Sequence, residues 1–177
     1  MTYFSFSRLI LAPIFFFSWG LNFSFGATGV ELSKASSAEL RQLAESGDAY
    51  AQAAFAIALA NGDKGLPISI IEAEKWARQS ASQKHPIGYF AMGHLSQNPI
   101  LEADSATPGK YFLAAFGERK GELVRTALSG DPIACYALGM ILTSDELRPR
   151  MIPDLELAAR HHQAAVNADY MPSVLQL

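Results

Sequence analysis

The chain has 177 residues, 14 Lys plus Arg against 17 Asp plus Glu, a net charge of −3, and a single cysteine, Cys135. Affinity for phosphate backbones rests on clustered Lys and Arg, so this acidic balance argues against nucleic acid as a partner. One cysteine rules out an internal disulfide in any compartment.

Residues 1–27, MTYFSFSRLILAPIFFFSWGLNFSFGA, carry one charge, Arg8, then an apolar stretch from Leu9 and the small residues Ser24, Gly26 and Ala27 where a peptidase would cut. This is the pattern of a secretory signal, which places the protein in the periplasm or outside the cell. The alternative is an uncleaved anchor in the inner membrane. No charge falls between Leu9 and Val30, and about 20 such residues span a bilayer. No cysteine lies near the cut, which argues against a lipid anchor. Residues 28–35 read as a linker. Without the leader, about 150 residues remain, enough for one core, and the charge balance becomes 13 against 17 because Arg8 is lost.

From Ser36 onward the apolar period is helical. SSAELRQLAESG has Ser36 and Glu39 at capping-box spacing, followed by Leu40, Leu43 and Ala44, and reads as a half repeat closing the N-terminal end. GDAYAQAAFAIALANG follows from Gly47, KHPIGYFAMGHL from Lys84 and GDPIACYALGMIL from Gly130. Aligned without gaps, the last two share Pro86 with Pro132, Ile87 with Ile133, Ala91 with Ala137 and Gly93 with Gly139. A fourth copy, ADYMPSVLQL, starts at Ala168. Starts at 47, 84, 130 and 168 are spaced for a helix pair with two turns rather than a strand hairpin. In the third copy Asp131 is placed to cap, with Pro132 in the first turn. Ala56, Gly93 and Gly139 are small where a second helix would approach closely.

Partner helices lie between the copies. SIIEAEKWARQSASQ starts with Ser69 and Glu72 at capping-box spacing, with Trp76 available to cover the seam, and DLELAARHHQAAVN repeats the pattern from Asp154. The middle partner, GKYFLAAFGERKGELVRTALSG, contains Gly117 and Gly121 and reads as a bent helix or two short ones.

YAQAAFAIALANG followed by AEKWARQSASQKHP resembles the Sel-one-like repeat, a relative of the tetratricopeptide repeat; Asn61, Gly62, Trp76 and Ala81 carry the likeness. Later units depart from it, with Glu122 and Arg160 at the tryptophan position. The resemblance covers Ser36 to Leu177. It implies an all-α, right-handed superhelical solenoid of stacked antiparallel helix pairs, with about three repeats between terminal half repeats. It also implies a concave groove, lined by the first helix of each pair, that takes a peptide or protein loop. By position, that groove comprises Tyr50, Ala53 and Ile57, then Ile87, Phe90, His94 and Gln97, then Ile133, Tyr136, Met140 and Thr143. Positions 90, 94, 97 and 136, 140, 143 form i, i+4, i+7 stripes. An apolar stripe at that spacing also suits a core, so Phe90 and Tyr136 have a packing reading beside the binding one.

Catalytic patterns are sparse. His161 and His162 are helix neighbours pointing roughly 100° apart, a poor chelate, and no His-Glu-x-x-His or cysteine pair supports zinc. Cys135 on an alanine-rich helix reads as an inert core thiol. The carboxylate pairs Glu72 with Glu74 and Asp145 with Glu146 sit at helix starts, where the dipole accounts for them. The insert with Asn98, Pro99, Pro108 and Gly109 is a second binding candidate, as long loops often are.

These features read as a protein-binding module without enzymatic activity, metal or cofactor. By resemblance it is an adaptor, or an immunity-type stoichiometric inhibitor of an envelope enzyme or toxin. The alternative is a cell-wall-directed hydrolase with an unrecognised carboxylate or histidine site. Self-association through the apolar C-terminal helix is a further expectation.

Overall fold

The structure, a computed structural model, describes residues 26–101, 107–118, 121–147 and 154–170. Among them every regular element is helical: α1 (Gly29–Lys34), α2 (Ser37–Glu45), α3 (Ala49–Asn61), α4 (Ile70–Ser82), α5 (Pro86–Ser96), α6 (Thr107–Gly117), α7 (Glu122–Leu128), α8 (Pro132–Thr143) and α9 (Leu155–Asn167). Short 3-10 turns occupy Asp63–Gly65, Pro99–Leu101 and Asp145–Leu147. Helices pack as neighbouring pairs, α3 on α4, α5 on α6 and α8 on α9, in a solenoid-like order. The expected all-α class is therefore what forms.

The period in the sequence corresponds to one turn built four times. Gly47, Lys84, Gly130 and Asp169 all have left-handed φ, at 94°, 57°, 86° and 59°. In each turn this residue's amide donates to the carbonyl three residues back, and the next amide donates to the carbonyl five residues back. Gly130 to Ala127 (3.0 Å) with Asp131 to Thr126 (3.3 Å) is one instance, and Asp169 to Val166 (2.9 Å) with Tyr170 to Ala165 (3.0 Å) is another. This double bond satisfies carbonyls that a helix end leaves open. The fourth such turn lies at Asp169, one residue after Ala168, where the sequence spacing starts the fourth copy. Glycine takes the left-handed position at no steric cost, whereas Lys84 and Asp169 accept about 1 kcal/mol.

Composition decides which helix goes inside. From Ala51 to Leu59 every residue of α3 is buried, and α8 is buried from Pro132 to Gly139. Helices apolar on all sides belong in the centre. Helix α4 buries only Ala73, Ala77 and Ser80 and lies outside. Trp76 meets Phe55 edge-on at 5.6 Å, covering the seam between α3 and α4. The small residues serve these contacts. A Cβ on Gly93 would lie 2.6 Å from the Phe112 ring of α6, and one on Gly139 2.8 Å from the His162 imidazole of α9.

Several local expectations change. The Ser36 and Glu39 capping box forms, but Ser69 makes no side-chain cap; its amide instead reaches the Leu59 carbonyl at 3.0 Å. The long middle partner divides into α6 and α7, with Gly121 left-handed at φ 75°. Residues 28–35, expected as a linker, contain α1, started by a Thr28 and Glu31 capping box. His161 and His162 are buried, and Gly139 opens a space on α8 that His162 fills. Residues 1–25 of the expected leader and residues 171–177 of the apolar C-terminal stretch lie outside the described residues. No helix among the described residues is long and apolar enough to cross a membrane.

Two substitutions check the turn and the seam. Lys84→Gly should raise stability in urea denaturation by up to about 1 kcal/mol, relieving the left-handed strain. Gly139→Ala should lower it by about 1–3 kcal/mol, the imidazole clash outweighing the gain in helix propensity.

Candidate functional site

The inner face of α3 and α8 is covered by the chain's own beginning. Asp131 follows the left-handed Gly130 and is buried, 7% exposed as a residue. Oδ1 accepts the amides of Ile133 (3.1 Å) and Ala134 (3.0 Å), capping α8, and the Tyr50 hydroxyl at 2.5 Å. Oδ2 accepts the Gly29 amide, at the start of α1, at 2.9 Å. One carboxylate thus meets the N-termini of two helices, where the dipole is positive. Burial first, and then the Asp131 charge, hold the Tyr50 phenol well above its ordinary range. The Tyr50 ring also packs on His85 at 4.8 Å.

The other end of α1 is held by a cation. Lys64 Nζ donates to the carbonyls of Ser33 (2.8 Å) and Ala35 (2.6 Å), where the helix dipole is negative. Burial lowers the Lys64 ammonium's pKa, while Asp63 beside it opposes the shift. Between the two clamps Leu32 is fully buried. Under it lies a cavity of about 150 Å³ walled by Leu32, Leu40, Ala58, Ile133 and Tyr170. One step earlier in the chain, the Ala27 amide donates to Asp48 Oδ2 at 3.1 Å. Asp48 occupies in its unit the place that Asp131 occupies in the third, directly after the left-handed glycine.

The eleven side chains expected to line an open groove divide between buried and accessible positions. Ile57, Phe90 and Tyr136 are core residues, 1%, 0% and 2% exposed, which corrects their assignment as ligand contacts. The cause is contact between neighbouring first helices: Phe90 meets Tyr136 edge-on at 5.8 Å, and Tyr136 meets Tyr170 at 5.7 Å. Burial pushes the Tyr136 phenol up to about 12. Tyr50 is half-buried and committed to Asp131. Ala53, Ile87 and Ile133 are buried too. The last turns of α5 and α8 stay accessible, with His94 and Met140 half-buried and Gln97 and Thr143 exposed. His94 stacks on Phe90 at 5.9 Å, and its Nδ1 is buried with no hydrogen-bond partner among the described residues. The Thr143 hydroxyl donates back to the Met140 carbonyl at 3.0 Å.

Among the described residues no group of three or more His, Cys, Asp or Glu is placed to hold a metal ion. The Cys135 thiol is buried, donates to the Ala127 carbonyl at 3.2 Å and is pushed up to about 11, which makes a poor nucleophile. Glu74 pairs with Arg78, and Glu72 lies 3.6 Å from Arg41. Of the insert, Pro108 and Gly109 are buried at the start of α6, where a Cβ on Gly109 would meet the Glu146 carbonyl at 2.8 Å. That end of the insert packs instead of presenting a loop.

Sequence reasoning identified Asp131 only as the cap of α8. Its other partners, Tyr50 and Gly29, lie 81 and 102 residues away, and no local pattern reports them. Lys64 had no signal at all, because its role depends on where α1 comes to rest. In comparisons with known proteins, the chain matches no family model, no curated protein and no solved structure.

Asp131→Ala should lower unfolding free energy by about 2–4 kcal/mol, the α8 cap and two further donors being lost together. Tyr50→Phe should cost about 1 kcal/mol, and the two should be non-additive in a double-mutant cycle. A pH dependence follows from His94, His161 and His162, whose pKa values are all lowered from 6.5 by burial. The unfolded chain takes up these protons first, so the stabilisation is complete above about pH 6.5 and is lost as pH falls toward the depressed folded values. The urea midpoint should be level from pH 8 to 7 and fall between about 6.5 and 5. That window stays clear of Glu31 and Glu39, whose capping bonds hold their carboxyls below 4.5.

Proposed function

We propose that the protein is a secreted or periplasmic solenoid of the Sel-one-like type, about three repeats in a right-handed superhelix, that works by binding another protein. In that role it is an adaptor, or a stoichiometric inhibitor of the immunity type, for an envelope enzyme or toxin. The observation that carries this reading is the surface left open at the ends of α5 and α8. Two rigid helices, joined through Phe90 and Tyr136, present His94, Gln97, Met140 and Thr143 in their final turns. These side chains mix apolar, amide, hydroxyl and imidazole groups without net charge when the histidine is neutral. Such a set suits a protein surface better than a phosphate or a metal. Methionine adapts its shape to an apolar contact, and each of the other three offers a polar hydrogen-bonding group. The carboxylates on the inner face are consistent with the same reading, since Asp48 and Asp131 are engaged with backbone amides.

Affinity capture from a native cell envelope tests this. Full-length tagged protein should recover one stoichiometric partner, and His94→Ala combined with Met140→Ala should lose it while keeping the thermal midpoint within a few degrees. No partner, or a partner indifferent to the double substitution, would count against this surface.

A further inference from the structure

Asp48 is an anchor with room for a charge opposite it. Its Oδ1 caps α3 through the Ala51 amide at 2.7 Å, and its Oδ2 takes the Ala27 amide at 3.1 Å. Among the described residues no cationic side chain pairs with it. Ala27 and Asp48 stand at the edge of an open cleft of about 800 Å³ that also holds Glu31 and Glu39, with Lys34 as its cation. Glu31 and Glu39 are used by the capping boxes at Thr28 and Ser36. Asp48 is the carboxylate directed at the start of the N-terminal strap, residues 27–35, that covers the inner face.

The sequence marks the same point. A peptidase that requires small residues at the first and third positions before its cut finds Gly26 and Ser24 if it cuts before Ala27, but Ala27 and the bulky Phe25 if it cuts before Thr28. We propose that the Gly26–Ala27 peptide bond is the one hydrolysed on export, and that the new α-ammonium of Ala27 forms an ion pair with Asp48 that fastens the strap to α3. This rests on the export reading above. Water adds across the bond, Gly26 leaves with the leader as a carboxylate, and the Ala27 nitrogen takes up a proton to become an ammonium. The cut precedes folding, so the half-burial of Ala27 in the folded chain is no obstacle. Its nitrogen already stands at hydrogen-bond distance from Oδ2, and cleavage turns a neutral donor into a charged one, the stronger kind.

The test starts from the full precursor, exported in a bacterial host and recovered from the envelope fraction. Intact mass and N-terminal sequencing should give Ala27 as the first residue. The Ala27 amine should titrate about half a unit above the ordinary range, slowing its acylation by a small anhydride about 2.5-fold at pH 7.5. Asp48→Asn should abolish that slowing without unfolding the protein, since asparagine also caps α3. An exported chain starting at Thr28 or elsewhere, or an Ala27 amine that reacts equally fast in both proteins, would overturn the assignment alone. A chain still bearing residues 1–26 would overturn it together with the export reading.

Discussion

A helix leaves its first amides without acceptors, and inside a protein those amides must be answered. Here one buried carboxylate answers them for two helices. Asp131 caps α8, takes the first amide of α1 and accepts the Tyr50 hydroxyl from α3, so three elements distant in sequence are fastened at one side chain. The placement is favourable because both helices turn their positive ends toward it. Lys64 supplies the complementary charge at the far end of α1. A helix of six residues would not persist alone in water, yet here it is held from both sides.

The turns place these clamps. Each reversal into an inner helix uses a left-handed residue and the same pair of backbone bonds, so the residue that follows always arrives at the same spot. In two units that residue is an aspartate, Asp48 or Asp131, and both reach the N-terminal strap. In the second unit it is His85, which packs on Tyr50 instead. A periodic backbone feature has thereby become a row of side chains to which a non-repeating segment attaches.

This arrangement changes how the inner face relates to binding. An open groove would leave the apolar positions of α3 and α8 for a partner, whereas here the strap and Tyr170 cover them. What stays accessible, His94, Gln97, Met140 and Thr143, mixes polar and apolar groups and lies at the ends of helices, beyond the reach of the strap. In the proposed binding role, a partner would meet the rim, because the inner face is already occupied by the chain itself.

The amino-acid sequence by itself determined the helical class, the recurring spacing and the small residues at the seams, while the choice of two helices over one bent one in the middle partner came from the structure. The features legible in the sequence follow from local periodicity, capping chemistry and the conformational range of glycine. It also marked Asp131 and Ser36 as caps, since a cap acts within three residues of itself. Only the tertiary structure decided that Ile57, Phe90 and Tyr136 are core, because a helix stripe looks the same whether a ligand or a neighbouring helix covers it. The burial of His162 belongs in the same class, as it depends on a glycine of another helix. Above all, the strap could not be read from its own residues. Gly29, Leu32 and Lys64 gain their roles from contacts across 29 to 102 residues of chain, and such contacts are set by how helices stack, not by any pattern within one of them.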